Sequence, residues 1–163
     1  MVDAVSPVYE EHFTRTPLNL LGGHGWKRLL AFRVDQYGIT LGGMPLQYRR
    51  QTAVVPWAEI EVVVLWGQRT AQLRPIRCVG VERRPGSPAL PGPNQNLKPE
   101  MAARVAPHIE YEVVRDGRTM VLWRIDPDRL TTALRAFAPG VPLRFHQEYW
   151  KGRTGEIDLD VFP

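Results

Sequence analysis

The sequence predicts a mostly-β (α+β) fold of antiparallel strands closed by one C-terminal helix. Three observations predict it. Short apolar runs with period-two alternation recur along the chain. Proline (15 residues) and glycine (14 residues) gather between those runs, where they mark turns rather than long helices. One helical stripe falls late in the chain, with Leu130, Ala133, Leu134 and Phe137 at i, i+3, i+4 and i+7. The 163 residues suit one domain able to bury a core without metal or disulfide support.

Residues 1–25 hold few periodic apolar positions and read as an N-terminal arm. Gly22, Gly23 and Gly25 match no dinucleotide or P-loop fingerprint, because neither a helix-forming stretch nor a spaced lysine follows. Leu30, Phe32 and Val34 alternate onto one face of a first strand. Asp35-Gln36-Tyr37-Gly38 turns the chain into a second strand, Ile39-Thr40-Leu41. Gln51 to Val55 is a third β-prone run, and Pro56-Trp57-Ala58-Glu59 a short corner. Ile60 to Trp66 is the strongest strand signal, with Ile60, Val62, Val64 and Trp66 predicted to share a face. Leu73 to Glu82 gives a fifth strand, and Pro85 to Pro99 a long loop.

Ile109, Tyr111 and Val113, then Thr119, Val121, Trp123 and Ile125, alternate about Asp116-Gly117 and predict a hairpin. A three-residue loop with Gly117 in a bulge gathers their apolar residues on one face, which selects that register. Asp126 is the N-cap of the closing helix, Pro127 suits its first position, and Pro139-Gly140 ends it. The helix spans about residues 126–138. Trp57, Trp66 and Trp123 read as core; Trp150 is either an exposed anchor or folds back on the domain.

The stretches Phe32-Arg33-Val34-Asp35-Gln36-Tyr37-Gly38-Ile39, Val55-Pro56-Trp57-Ala58-Glu59-Ile60 and Trp123-Arg124-Ile125-Asp126 through Pro139 resemble bacterial pleckstrin-homology-like (PH-like) domains. The likeness lies in a V-D-x-x-G-I hairpin, a V-P-W-x-E-I corner and a closing helix, over residues 26–143. It implies a seven-stranded antiparallel barrel or orthogonal sandwich capped by the helix, with residues 144–163 as a C-terminal extension. It also implies a module that binds phosphoinositides, peptides or protein surfaces and is not an enzyme. Lipid-binding members carry basic residues on both strands of the first hairpin. Here Lys27, Arg28 and Arg33 lie on one strand and Gln36 to Leu41 has none, which argues against specific phosphoinositide capture.

The net charge of +4 permits contact with phosphates without demanding it. The lone cysteine, Cys78, lies in an apolar run and reads as a small buried hydrophobe. Residues 1–11 lack the apolar region of a signal peptide, and no apolar run is long enough to span a bilayer, so a soluble, cytoplasmic protein is expected. His12, His24, His108 and His146 have no metal-ligand spacing, and no nucleophile or paired-carboxylate motif occurs, so neither metal, cofactor nor catalysis is expected. Glu156, Asp158 and Asp160 alternate along a solvated edge.

These readings converge on a non-catalytic adaptor for a protein or peptide partner. Its predicted surface is a groove between the closing helix and the fifth strand, around Arg77, Val79 and Val81, where an open edge could accept another strand. The arm and the tail, including Tyr149 and Trp150, offer a further docking surface for a partner or a second copy. The alternative is a peripheral module for anionic lipid or nucleic acid, in which Arg49, Arg50, Arg83 and Arg84 form one basic patch if their loops adjoin. The P-x-x-P spacings from Pro85 to Pro91 fit an extended polyproline ligand but read first as a connector, and the length of the loop marks it as a functional candidate.

Overall fold

The structure, a computed structural model, describes residues 7–15, 28–68 and 76–146, and the backbone of 155–157. A first sheet runs in chain order as an antiparallel meander: β1 (Tyr9–His12), β2 (Leu30–Asp35), β3 (Gly38–Leu41) and β4 (Ala53–Pro56). The second has the order β7-β6-β5-β8-β9, with β5 (Ile60–Gln68), β6 (Ile76–Arg83), β7 (Arg118–Thr119), β8 (Leu143–Phe145) and β9 (Gly155–Ile157). Four α-helices accompany them among the described residues: α1 (Tyr48–Gln51), α2 (Pro99–Val105), α3 (Tyr111–Asp116) and α4 (Pro127–Phe137). The fold is α+β. Its described strands form two separate ladders and no closed barrel.

The β2–β3 hairpin has the predicted turn, with Asp35 opposite Gly38. The Tyr37 amide donates to Asp35 Oδ1 at 2.8 Å, closing the turn locally. Gly38 sits at φ +151°, and a Cβ there would lie 2.0 Å from the Val55 carbonyl oxygen on β4. Only glycine lets β4 pair so closely at this corner. Trp57 then donates its indole N–H to the Asp35 carbonyl at 2.8 Å, tying the corner between the sheets to the hairpin.

The principal core lies between the sheets and beneath α4. It joins Phe32, Val34, Ile39, Leu41 and Val55 of the first sheet to Val63, Leu65, Val79, Leu143 and Phe145 of the second. Leu130, Ala133 and Leu134 complete it from α4, as the helical stripe predicts. Asp126 caps that helix, its Oδ1 accepting from the amides of Asp128 and Arg129 at 3.0 and 3.2 Å. A second core, on the other face of β5 and β6, joins Val62, Val64, Trp66 and Cys78 to Ala102, Ala106, Val113 and Val114 under α2 and α3.

That second core changes the reading of β5. Ile60 packs in the first core, whereas Val62, Val64 and Trp66 pack in the second, so these four residues do not share a face. A register shift between Ile60 and Val62 changes the phase. Both faces of the strand are covered, which is why its apolar run is nearly continuous.

The predicted 109–125 hairpin is replaced by α3, the two-residue β7 and a turn. Val113 and Val114 are consecutive yet lie in the same core, which a strand cannot arrange and a helix can. Beyond β7, the Met120 amide still donates to the Arg77 carbonyl at 2.7 Å, but Leu122 adopts φ +65° and ends the pairing.

The described part of the arm, residues 7–15, contributes to the sheet: β1 pairs with β2 from Tyr9↔Val34 to His12↔Leu30, and Tyr9 and Phe13 join the core. Likewise β8, at the start of the expected extension, runs parallel to β5 with Val63 opposite Leu143. Replacing Asp126 with alanine should lower unfolding free energy by about 1 kcal/mol, the usual cost of a lost N-cap. Chemical denaturation checks this, and an unchanged midpoint would contradict the capping role.

Candidate binding surfaces

Arg118 draws together the loops that carry the predicted arginines. The residue is 4% exposed, and its guanidinium is surrounded by backbone carbonyls. Nε donates to Gly42 O at 2.9 Å, and Nη1 to Asp116 O and Gly117 O at 2.7 and 3.0 Å. Nη2 donates to Gln51 O and Pro91 O, both at 2.7 Å, with Leu41 O at 3.4 Å. The ends of β3 and α1 and the proline-rich loop are thereby drawn to one point. Gly92 matters here, because a Cβ would approach Arg118 Nη1 to 2.7 Å. Burial lowers the guanidinium pKa to about 10, against the opposing pull of the Asp116 charge.

A second arginine closes a cleft beside this hub. Arg83 leaves the end of β6 and donates to Asp116 Oδ2 at 2.9 Å and Pro88 O at 2.6 Å, with Glu59 Oε2 at 3.5 Å. Its side chain is only 6% exposed. Arg115 holds the same Asp116 through Nε at 2.8 Å and Nη2 at 3.0 Å, an interaction that raises the Arg115 pKa. Above this pair lies a cleft of about 310 Å³ between Arg84–Ser87 and α3, carrying Glu110 and Glu112 on the helix side. Both charges line it, with Arg84 on the loop and the two glutamates on and before the helix.

A groove of about 360 Å³ lies between β1 and α4, walled by Pro7, Val8 and Tyr9 on one side and Arg129, Thr132 and Ala133 on the other. The Tyr9 hydroxyl accepts from the Asp126 amide at 2.8 Å and donates to Glu11 Oε1 at 2.7 Å, locking the strand to the helix start. Arg129 lies over the Tyr9 ring at 5.0 Å and 3.7 Å from Glu11 Oε1. Burial and the Glu11 carboxylate raise the Tyr9 pKa, so the phenol stays neutral.

The predicted site residues separate under this geometry. Arg49 and Arg50 are on α1, where Arg50 is exposed and Arg49 lies at the same surface, and Arg84 borders the cleft. Arg118 does bring the two loops together, at Gln51 and Pro91, but the Arg83 side chain turns inward and leaves the predicted patch. Val79 and Val81 are core residues at 0% and 3% exposure, and Val81 also lines the cleft beside α3. Arg77 is half-buried on β6, whose neighbours include β7 and α3. The closing helix packs on β1 and β2 instead, so the predicted helix–fifth-strand groove is displaced to β1. Tyr149 and Trp150 lie outside the described residues.

Residues 7–9 and Arg129 carry no sequence signal of a site: four strand residues are too few for a convincing alternation. Arg118 directly follows Asp116-Gly117, and nothing local in the sequence marks it as buried. Cys78 is buried as expected, with its thiol pKa pushed up to about 12 by burial. The His146 pKa is lowered by burial and by the nearby Arg144 and His108 charges. Among the described residues no three metal-ligating side chains cluster, and no helix is long and apolar enough to cross a membrane. The chain matches no family model, no curated protein and no solved structure.

Replacing Arg83 with alanine should cost about 2–4 kcal/mol of stability, because Asp116 stays buried with one partner fewer. Replacing Arg84 with alanine should cost under about 0.5 kcal/mol, as for ordinary surface positions. Urea denaturation separates the two, and equal effects would contradict the assignment of Arg83 to the fold.

Proposed function

We propose that the chain is a PH-like, non-catalytic binding module that takes an extended peptide of a partner protein in the groove between β1 and α4. The observation that carries this reading is the position of that groove. One wall, Pro7 to Tyr9, leads into β1, which among the described residues is an outer strand of the first sheet, and an outer strand offers backbone donors and acceptors to an incoming chain. The other wall is a helix whose Ala133 leaves room for an apolar side chain of the peptide. Arg129 at the rim offers a positive charge to an acidic neighbour in the same peptide.

The family reading draws support from element order up to α4: four antiparallel strands, three more with α2 and α3 inserted between β6 and β7, then the helix; β8, parallel to β5, and β9 follow it. A soluble, cytoplasmic adaptor belongs to the same proposal. The alternative, phosphate capture by the arginine loops, loses Arg83 to Asp116 and Glu59 and is the weaker reading.

A displayed peptide library panned on the whole chain tests the proposal. Extended peptides with an apolar anchor should be enriched. Thr132→Trp, at an exposed groove position, should weaken the selected peptide by about tenfold or more, about 1.4 kcal/mol, without changing thermal stability. Failure to enrich any sequence, or binding indifferent to the bulky substitution at Thr132, would overturn the reading.

A further inference from the structure

We propose that the turn between β7 and α4 is a membrane-contacting tip, which inserts Val121 and Leu122 into a bilayer surface carrying anionic headgroups. These two aliphatic side chains are adjacent and 41% and 47% exposed. Leu122 stands at φ +65°, alone among described non-glycine residues in having a positive φ. Such a conformation is unfavourable for a side chain and persists where the surroundings impose it. The surroundings do impose it. Leu122 O accepts from the Thr14 amide at 2.7 Å. The next residue, Trp123, is 6% exposed, stacks on Phe32 at 6.2 Å and meets Phe13 edge-on at 6.2 Å. The backbone of the turn is held in place while its two apolar side chains remain open to solvent.

Charge around the tip identifies the surface it fits. Two shallow depressions meet at His12 and Thr14; Arg15 and Arg28 line one, Arg124 the other. All three arginines are exposed, and none has an ion-pair partner among the described residues. The acid on this rim, Glu11, is engaged by the Tyr9 hydroxyl and faces Arg129. An apolar point beside guanidinium groups that have no ion-pair partner among the described residues matches acyl chains below and anionic headgroups around. Nucleic acid matches less well, because stacking on bases needs exposed aromatics, and Phe13 and Trp123 are buried. This surface uses neither the β1–α4 groove nor the arginine loops, and it stands independently of the peptide-binding reading.

Sedimentation of the whole chain with vesicles tests the proposal. It should pellet with phosphatidylglycerol-containing vesicles and not with phosphatidylcholine alone. The double substitution Val121→Asp, Leu122→Asn keeps a residue tolerant of positive φ at position 122 and should weaken vesicle binding at least about tenfold, consistent with lost apolar insertion. Should that variant fail to fold, Val121→Cys carrying a polarity-sensitive dye gives a second readout, since Cys78 is buried. The dye should shift to shorter wavelength on anionic vesicles. Absence of vesicle binding, full binding by a folded double variant, an unshifted dye, or tighter capture of a single-stranded oligonucleotide than of vesicles would each overturn the proposal.

Discussion

A guanidinium buried away from water must find its hydrogen bonds within the protein, and Arg118 finds them on segments far apart in sequence. Its acceptors belong to the end of β3, the end of α1, the proline-rich loop and the end of α3. Each of these segments ends where helical or sheet pairing runs out, so its carbonyls would otherwise be unsatisfied in a dry environment. The burial that lowers the pKa of Arg118 is offset by those carbonyl bonds, and the group stays charged at neutral pH. Asp116 supplies the counter-charge and is itself shared with Arg83 and Arg115. One arginine and one aspartate thus set where the loops between strands can lie.

The constraint reaches the binding surfaces through packing. With the loop held at Pro91, Leu90 enters the main core, and Asn94 donates to the Val114 carbonyl at 3.3 Å. The α2–α3 layer then covers the outer face of β5 and β6, where Gly80 and Gly117 leave the room that Trp66 occupies. Coverage on that side, together with pairing to β5 and β7, removes β6 as an acceptor for another chain. The first sheet has β1 and β4 as its outer described strands, and α4 leans on β1, so the groove forms there. The segment that continues from β1 also pins the Leu122 turn.

Local features were legible in the sequence. The β2–β3 hairpin was readable because Asp35 and Gly38 are chemically suited to its turn, and α4 because its stripe falls within eleven residues behind a clear cap. What was not legible depends on distant partners. Residues 111–116 alternate well enough for a strand, and only the second core, assembled from β5, β6 and α2, makes both Val113 and Val114 apolar contacts of one helix. Arg83 looks like half of a surface pair with Arg84 until Asp116, 33 residues on, takes it inward. The bulge after Ile60 leaves no mark in composition, so the phase of β5 was misread while its strand character was plain. For the candidate sites, Arg49, Arg50 and Arg84 stand as predicted surface groups, but a groove made by two elements far apart in sequence has no local motif.

Hydrogen exchange in Arg118→Met tests the organising role of this residue most directly, since exchange reports local opening segment by segment. The substitution keeps an apolar stem and removes the donors. The amides of Gly43 and Thr52, bonded within the β3–β4 connection, and of Leu97, bonded within the proline-rich loop, should lose protection together, while the β2–β3 ladder keeps its own. Unchanged protection in both loops, or loss in one without the other, would contradict the account that a single buried guanidinium holds them.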